Sequence, residues 1–336
     1  MYLNLPQFLK DQPVWKEKDE DIVNAILELV WTGREASTVN KYCLSLRKIL
    51  NYIHIHKYSS ILPFSSAFAA EYLTHVNLNF GSKSAVETSL AALKWVHSFI
   101  PGVNQWNNPM NDDFLSKIMS SSRRTLMTTK NQKKPLNGDI IRKMIQSSNL
   151  DNLVELRNCL VIALSFCMLL RHDDVSHMTL DHFSEMDDGY KILIPKSKTD
   201  KFRNGSHVFL RKSKEEFSIS TLLEKYLNRI GLSIGDNHFL FFPMSANNGK
   251  KNEILSYASY RDIVKNLVIK INLDPNVYGT HSCRSGGASA LAPHVTELEL
   301  LTTGRWKDSR SIRSYVELTD SSRLSISDTL QKSISG

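Results

Sequence analysis

A chain of 336 residues with 41% apolar and 23% charged side chains is long for one hydrophobic core, so two globular domains are expected. No apolar run reaches membrane-spanning length; the longest, Cys159 to Leu170, is interrupted by Ser165 and reads as a buried helix. The formal charge of +8 points to an anionic partner, while the acidic start of the chain (Asp11, Glu17, Asp19, Glu20, Asp21) lacks the order of a secretory signal.

The first 130 residues read as helices joined by short loops. Asp19 to Trp31 places Ile22, Ile26, Leu29 and Val30 on one side, which predicts a buried stripe. Ser37 reads as the N-cap of a helix reaching His54, with Tyr42, Leu46, Ile49, Leu50 and Ile53 as its apolar face. Further helices are expected over Ser65–His75, Lys83–Phe99 (stopped by Pro101-Gly102) and Asp112–Met127. Strand-like alternation is missing here, so this half is expected to be a helical bundle. The polar, basic segment 130–136 reads as a linker.

Helices resume at Gly138–Gln146 and Leu153–Leu170. Between His182 and Leu210 the pattern changes to short strands, Tyr190–Ile194 and His207–Leu210, around a lysine-rich turn. Helices follow near Ile219–Ile230, Tyr257–Ile271, His281–Leu291, Thr296–Thr302 and Ser309–Val316. The fold class expected is therefore mainly α with a small antiparallel β-sheet: a helical domain over 1–129, an α+β domain over 137–318, and a serine-rich tail over 319–336. The tail's Leu324, Ile326 and Leu330 suggest docking on a neighbouring protomer.

Basic residues are concentrated in two places. Lys117, Arg123, Arg124, Lys130, Lys133 and Lys134 fall in a stretch free of acids, and eight Lys or Arg lie between Lys191 and Lys214 against Asp200 alone. Two such stretches suit a polyanion gripped from two sides; solvated faces are the equally weighted bland reading. The four cysteines (Cys43, Cys159, Cys167, Cys283) form no C-x-x-C pair and fit reduced thiols of an intracellular protein. His172, His177 and His182 repeat at i,i+5, which puts them on different faces of a helix, so no metal site is expected.

The second half holds an ordered set of motifs. Leu-Leu-Arg171-His-Asp-Asp174 comes first, then Lys196-Ser-Lys198-Thr-Asp-Lys201, His281-Ser-Cys-Arg284 and Gly304-Arg-Trp306, with Tyr315 nine residues beyond the tryptophan. Taken singly, each has an ordinary structural explanation: a helix-capping arginine, a chance H-x-x-R, a half-buried packing tyrosine. Together they resemble the tyrosine recombinase (phage integrase) family, which uses this residue set in this order, and the His-Ser-x-Arg, Gly-x-Trp, Tyr ending is similar to its Cre branch, where tryptophan replaces the more usual histidine. The motifs span roughly Lys133 to Leu318. The chain departs from the family pattern in two places. Leu-Leu precedes Arg171 where a glycine often stands, and Ser-Gly-Gly-Ala-Ser follows Arg284 in place of His-Thr-x-Ala-Thr.

The resemblance implies catalytic roles that the residue types suit. Phosphodiester transfer develops negative charge on non-bridging oxygens, which the guanidinium forks of Arg171 and Arg284 match. His281 stands one helical turn from Arg284, Trp306 offers an indole N–H, and Tyr315 is the expected nucleophile. Lys198 is the expected general acid by the family pattern, with Lys196 and Lys201 as alternatives, and Asp174 is expected to support the Arg171 guanidinium. Arg123, Arg124, Lys133, Lys134, Lys201 and Arg203 are expected to meet DNA. The implied activity is site-specific strand exchange on double-stranded DNA. It proceeds through a 3′-phosphotyrosyl link and a Holliday junction within a tetramer, without metal or cofactor, in a protein of a mobile element. A type IB topoisomerase shares much of this residue set, and a DNA-binding regulator with a decayed site is the reading from a different class.

Overall fold

The computed structural model describes residues 5–126, 133–195, 205–215, 217–244 and 252–312, together with 315, 324, 328 and 331. The chain divides into two compact units, Met1–Lys130 and Asn131–Gly336. Among the described residues no helix is long and apolar enough to cross a membrane.

The first unit is wholly helical: α1 (Leu5–Lys10), α2 (Glu20–Thr32), α3 (Ala36–His56), α4 (Ser66–Phe80), α5 (Lys83–His97) and α6 (Asp113–Thr125). Side-chain caps set most of the starts. Ser65 accepts from the Phe68 N–H at 3.1 Å, Ser82 from Ala85 at 3.3 Å and Asp112 from Phe114 at 2.8 Å, each meeting a donor the first turn leaves unpaired. The third helix is capped two residues before the expected Ser37, by Glu35, which makes no side-chain cap bond. Its apolar stripe is as expected, with Leu46, Ile49, Leu50 and Ile53 buried.

The second helix is rotated relative to the sequence reading. It buries Val23 and Leu27 and leaves Ile22, Ile26 and Leu29 exposed. Both sets repeat at helical spacing, so periodicity alone does not choose between them. Trp31 decides, because its ring sits edge-on to Trp95 at 5.3 Å and to Phe99 at 6.2 Å, and an aromatic contact of that size outweighs one aliphatic side chain.

The second unit is built around α8 (Leu153–Cys167), preceded by α7 (Gly138–Gln146). Leu156, Leu160, Val161, Ile162, Ala163 and Leu164 are all buried, which is the pattern of a helix covered on every side. A one-turn helix, α9 (His172–Ser176), follows, and then a three-stranded antiparallel meander of β1 (Phe183–Met186), β2 (Gly189–Ile194) and β3 (Ser206–Arg211). Ile192 pairs with both Phe183 and Val208, and Ile194 with Ser206. Tyr190, Ile192, Ile194, Val208 and Leu210 turn inward onto the main core. Beyond the sheet come α10 (Ile219–Ile230), α11 (Tyr257–Lys270), α12 (Ser282–Leu291), α13 (Glu297–Gly304) and α14 (Ser309–Ile312).

The segment expected to be a linker is attached at its end to the second unit. The Lys134 N–H donates to the Val277 carbonyl at 2.7 Å and the Leu136 N–H to the Ser282 carbonyl at 2.9 Å, while Lys133 Nζ donates to the Asn276 carbonyl.

His97, fully buried in the first unit, yields a stability prediction. Its Nε2 accepts the Phe64 N–H at 2.9 Å and its Nδ1 lies 2.6 Å from the Leu93 carbonyl, a pattern for a neutral ring. Burial holds its pKa below the ordinary histidine value. The unfolded chain therefore takes up a proton at about pH 6.5 that the folded unit resists, so stability is full above that pH and falls as pH drops through it. Thermal melts followed by tryptophan fluorescence should show a transition that shifts downward below about pH 6.5, and His97→Gln should flatten that dependence. An unchanged slope in the variant would remove His97 as its source.

Candidate active site

The site is assembled where α8, α12 and α13 end or begin, and its backbone is unusual. After α8 the chain turns through Leu169 in the left-handed conformation (φ 50°), and it leaves α13 through Arg305 in the same conformation (φ 54°). A side chain there costs about 1–2 kcal/mol relative to ordinary helix geometry, which is why glycine is the usual choice. The Leu-Leu noted as a departure from the family pattern thus carries a conformation that glycine adopts without strain. Leu169 holds it because its side chain is buried in a small core with Ala288, Leu300, Trp306 and Ile312.

Arg171 is the N-cap residue of α9, and its backbone N–H donates to Asp174 Oδ2 at 2.9 Å. Asp174 does support this turn, though by a different contact from the one expected. Its carboxylate holds the Arg171 backbone, and its ion pair, at 2.8 Å, is with the guanidinium of Arg305.

Arg284 reaches the same turn from α12. It is completely buried, donating from Nη1 to the Leu169 carbonyl and from Nη2 to the Gly304 carbonyl. Two glycines make this approach possible. A Cβ on Gly286 would stand 1.7 Å from the Leu136 oxygen, and one on Gly287 would stand 2.1 Å from the Phe166 oxygen. The Ser-Gly-Gly that follows Arg284 is therefore the contact surface through which α12 packs on neighbouring backbone.

A Thr296–Glu299 capping box starts α13. At its end the Trp306 ring lies over Gly304, where an added Cβ would fall 1.7 Å from the indole. The rings then follow one another in space. Arg284 Cζ sits 4.3 Å from the Trp306 centroid and 5.3 Å from that of Tyr315, Trp306 and Tyr315 are 5.3 Å apart, and His281 is 6.2 Å from Tyr315. His281 is the exposed N-cap residue of α12. Tyr315 is half-buried just beyond α14, its N–H donating to the Ile312 carbonyl at 2.7 Å.

The structure thus brings Arg171, Asp174, His281, Arg284, Trp306 and Tyr315 into one place. Lys196, Lys198, Lys201 and Arg203 lie between β2 and β3, outside the described residues. Of the residues expected to meet DNA, Arg123 is bonded to Glu87 at 2.8 Å and Lys133 to a carbonyl, whereas Arg124 and Lys134 are exposed. Among the described residues no three His, Cys, Asp or Glu side chains are grouped to hold a metal. His172 packs edge-on to Tyr257 and Tyr260, and its Nε2 lies 3.0 Å from the Leu255 carbonyl.

The electrostatics are one-sided. Burial, first, and then the neighbouring Arg171 and Arg305 charges hold the Arg284 pKa below the usual guanidinium value. Arg171 Nη1, Arg284 Nε and Trp306 Nε1 are buried donors with no acceptor among the described residues. Buried N–H groups are rarely left unpaired, so a cluster of them on a cationic wall fits the oxygens of an anion. Arg305 and Leu169 escaped the sequence reading. Arg305 stands inside the Gly-x-Trp motif at the position read as variable, and nothing in the sequence marks it as buried.

The known proteins that this chain is similar to agree with the geometry. No protein-family model matches it. A Selenomonas ruminantium protein described as an integrase/recombinase xerD homolog is 25% identical over 218 residues, 64% of this chain and 63% of that protein. The match thus spans under two thirds of the relative's length. The XerH site-specific recombinase, solved with a palindromic difH substrate after cleavage, superposes with a TM-score of 0.66 at 19% identity over 98% of this chain and 95% of its own. A lambda integrase tetramer on a Holliday junction superposes with a TM-score of 0.55 at 14% identity, over 91% of this chain and 78% of its own. This is the tyrosine recombinase fold. The recombinase fold extends to the helical first unit, where the sequence motifs offered no evidence.

The two glycines of α12 provide a check on this recombinase-fold site. Gly286→Ala forces a methyl into the Leu136 carbonyl, and overpacking of this kind costs about 1–3 kcal/mol or more. Chemical denaturation should show loss of stability in the second unit, where Ser285→Ala, on the same helix and half-buried, should lie within about 0.5 kcal/mol of native. Equal stability of the two variants would mean that α12 does not pack as described.

Proposed function

We propose that this chain is a site-specific DNA recombinase of the tyrosine type, which cuts and rejoins strands through Tyr315. One observation carries the reading: the unpaired donors of Arg171, Arg284 and Trp306 stand on the wall against which the Tyr315 ring packs. An oxygen nucleophile beside a preorganised set of N–H donors is the arrangement that phosphoryl transfer requires. The Tyr315 oxygen attacks the scissile phosphate, forming a P–O bond to the phenol and releasing the 5′-oxygen of the neighbouring nucleotide. His281 supplies a base beside the phenol, and Lys198 donates the proton that leaves with the 5′-hydroxyl. A 5′-hydroxyl from a partner duplex then attacks the 3′-phosphotyrosyl link. The swapped strands form a Holliday junction held by four protomers, as the likeness to a tetrameric integrase on such a junction supports. In this reading the first unit is a DNA-binding domain. Arg124 and Lys134 offer exposed charges to the backbone, and the protein belongs to a mobile element and works where its host's DNA is.

Incubation with a randomised duplex library, followed by denaturing capture of protein-linked DNA, should recover a covalent adduct whose peptide maps to Tyr315. Tyr315→Phe should abolish the adduct while DNA retention persists. An adduct that survives this change sinks the assignment, and relaxation of supercoils without joining of two sites favours a type IB topoisomerase.

The general acid has its own test. Lys198→Met should slow adduct formation by about 10²–10⁴-fold, and a bridging 5′-sulfur, which leaves without a proton, should restore most of the rate. If Lys196→Met or Lys201→Met shows this rescue instead, the acid lies there.

A further inference from the structure

We propose that Arg305 is a positioning residue of this site, fixing where Arg171 and Trp306 present their N–H groups. The inference rests on the recombinase reading and extends it to a side chain that the family motif leaves variable. Arg305 is 9% exposed, and its guanidinium is spent on the protein itself. Nη2 bonds Asp174 Oδ2 at 2.8 Å and the Leu169 carbonyl at 3.0 Å, and Nη1 lies 3.4 Å from the carbonyls of Met168 and Thr303. Both ends of this link matter for the chemistry. Asp174 Oδ2 is the same oxygen that receives the Arg171 backbone N–H, and the Leu169 carbonyl is the same acceptor that Arg284 uses. Trp306 is the next residue along the chain, so the grip of Arg305 on the 168–174 turn sets the distance from that turn to the indole.

A guanidinium is suited to this because its planar fork reaches several acceptors at once, whereas an ammonium is a single point of charge. The left-handed backbone at Arg305 points the same way, since a strained conformation persists only where surrounding contacts hold it. The alternative is that Arg305 only neutralises Asp174. Charge and position can be separated: R305K keeps the charge and loses the fork, and R305M/D174N loses both charges and keeps the native net charge. The double variant also avoids leaving Asp174 buried without a cation, which R305M alone would do and which could prevent folding.

At saturating duplex, R305K and R305M/D174N should form the Tyr315 adduct about ten- to a hundred-fold more slowly than native, with half-saturating DNA changed less than about two-fold. Native rates in the double variant would show that neutralisation is all that Arg305 supplies, and a loss of DNA affinity alone would also overturn the proposal. Inorganic phosphate gives a readout independent of strand cleavage. Native protein should bind it by ³¹P line broadening, Arg171→Ala should abolish that binding, and both Arg305 variants should weaken it about ten-fold or more. If no DNA adduct forms in any protein, the recombinase reading fails, and the phosphate titration still decides the role of Arg305. Phosphate binding unchanged in the variants, or absent from native protein, overturns the positioning role.

Discussion

The second unit has to keep three guanidinium groups close together inside protein with one carboxylate among them in the described residues. Arg171, Arg284 and Arg305 feel one another's charge, and Asp174 is the counter-ion within their group. A buried cation is costly unless hydrogen bonds and counter-charge replace the water it loses. The local architecture reads as the answer to that cost. Arg305 takes the carboxylate. Arg284 takes the carbonyls of Leu169 and Gly304 and lies across the faces of two aromatic rings. Arg171 Nη1, Arg284 Nε and Trp306 Nε1 are left without an acceptor among the described residues.

Backbone carbonyls can serve as acceptors for these groups only where helices stop and their last oxygens are free. That explains why both left-handed residues of the site sit at helix ends, Leu169 after α8 and Arg305 after α13. The strain of about 1–2 kcal/mol at each is smaller than the return, since hydrogen bonds to a charged donor are worth about 1.5–3 kcal/mol apiece and each turn takes part in more than one. The glycines follow from the same demand. Arg284 reaches Leu169 only if its helix lies against neighbouring backbone, and any side chain at 286 or 287 would hold it off.

The sequence made legible those features that act through local chemistry. Asn152, Ser218, Ser256 and Thr296 each cap a helix whose start is readable from the residue type and the apolar period after it. The expected site residues came from their resemblance to a family pattern, to which phosphate chemistry lends suitable residue types. What escaped depends on tertiary contact. The first strand of the sheet buries only Phe183 of its four residues, so it shows no alternation. The face of α2 was set by an edge-on ring partner, Trp95, more than sixty residues away. Gly286 and Gly287 read as divergence from a family pattern when they are the places where two backbones touch. Arg305 is the plainest case: a buried, left-handed arginine paired across the site has the same one-letter signature as an arginine in water.

Tyr315 and the arginines it faces rest on different foundations. Arg171, at the start of α9, follows Leu170 of the large core that includes the sheet, and Arg284 is flanked on its helix by Cys283, buried in that same core. Tyr315 packs against a small separate cluster formed by Leu169, Ala288, Leu300, Trp306 and Ile312. A small cluster gives a segment less local stability than a large one, so the element carrying the tyrosine can open at lower cost than the wall it faces. In the proposed reaction this division lets Arg171 and Arg284 hold the phosphate while the Tyr315 oxygen advances on it and is later released. It also gives the joints between the two cores particular weight. Leu169 belongs to the small cluster while its carbonyl holds Arg284, and Arg305 ties the α13 turn to the turn that carries Arg171. The position of Tyr315 relative to Arg171 and Arg284 is therefore set at these two left-handed residues as much as at the tyrosine itself.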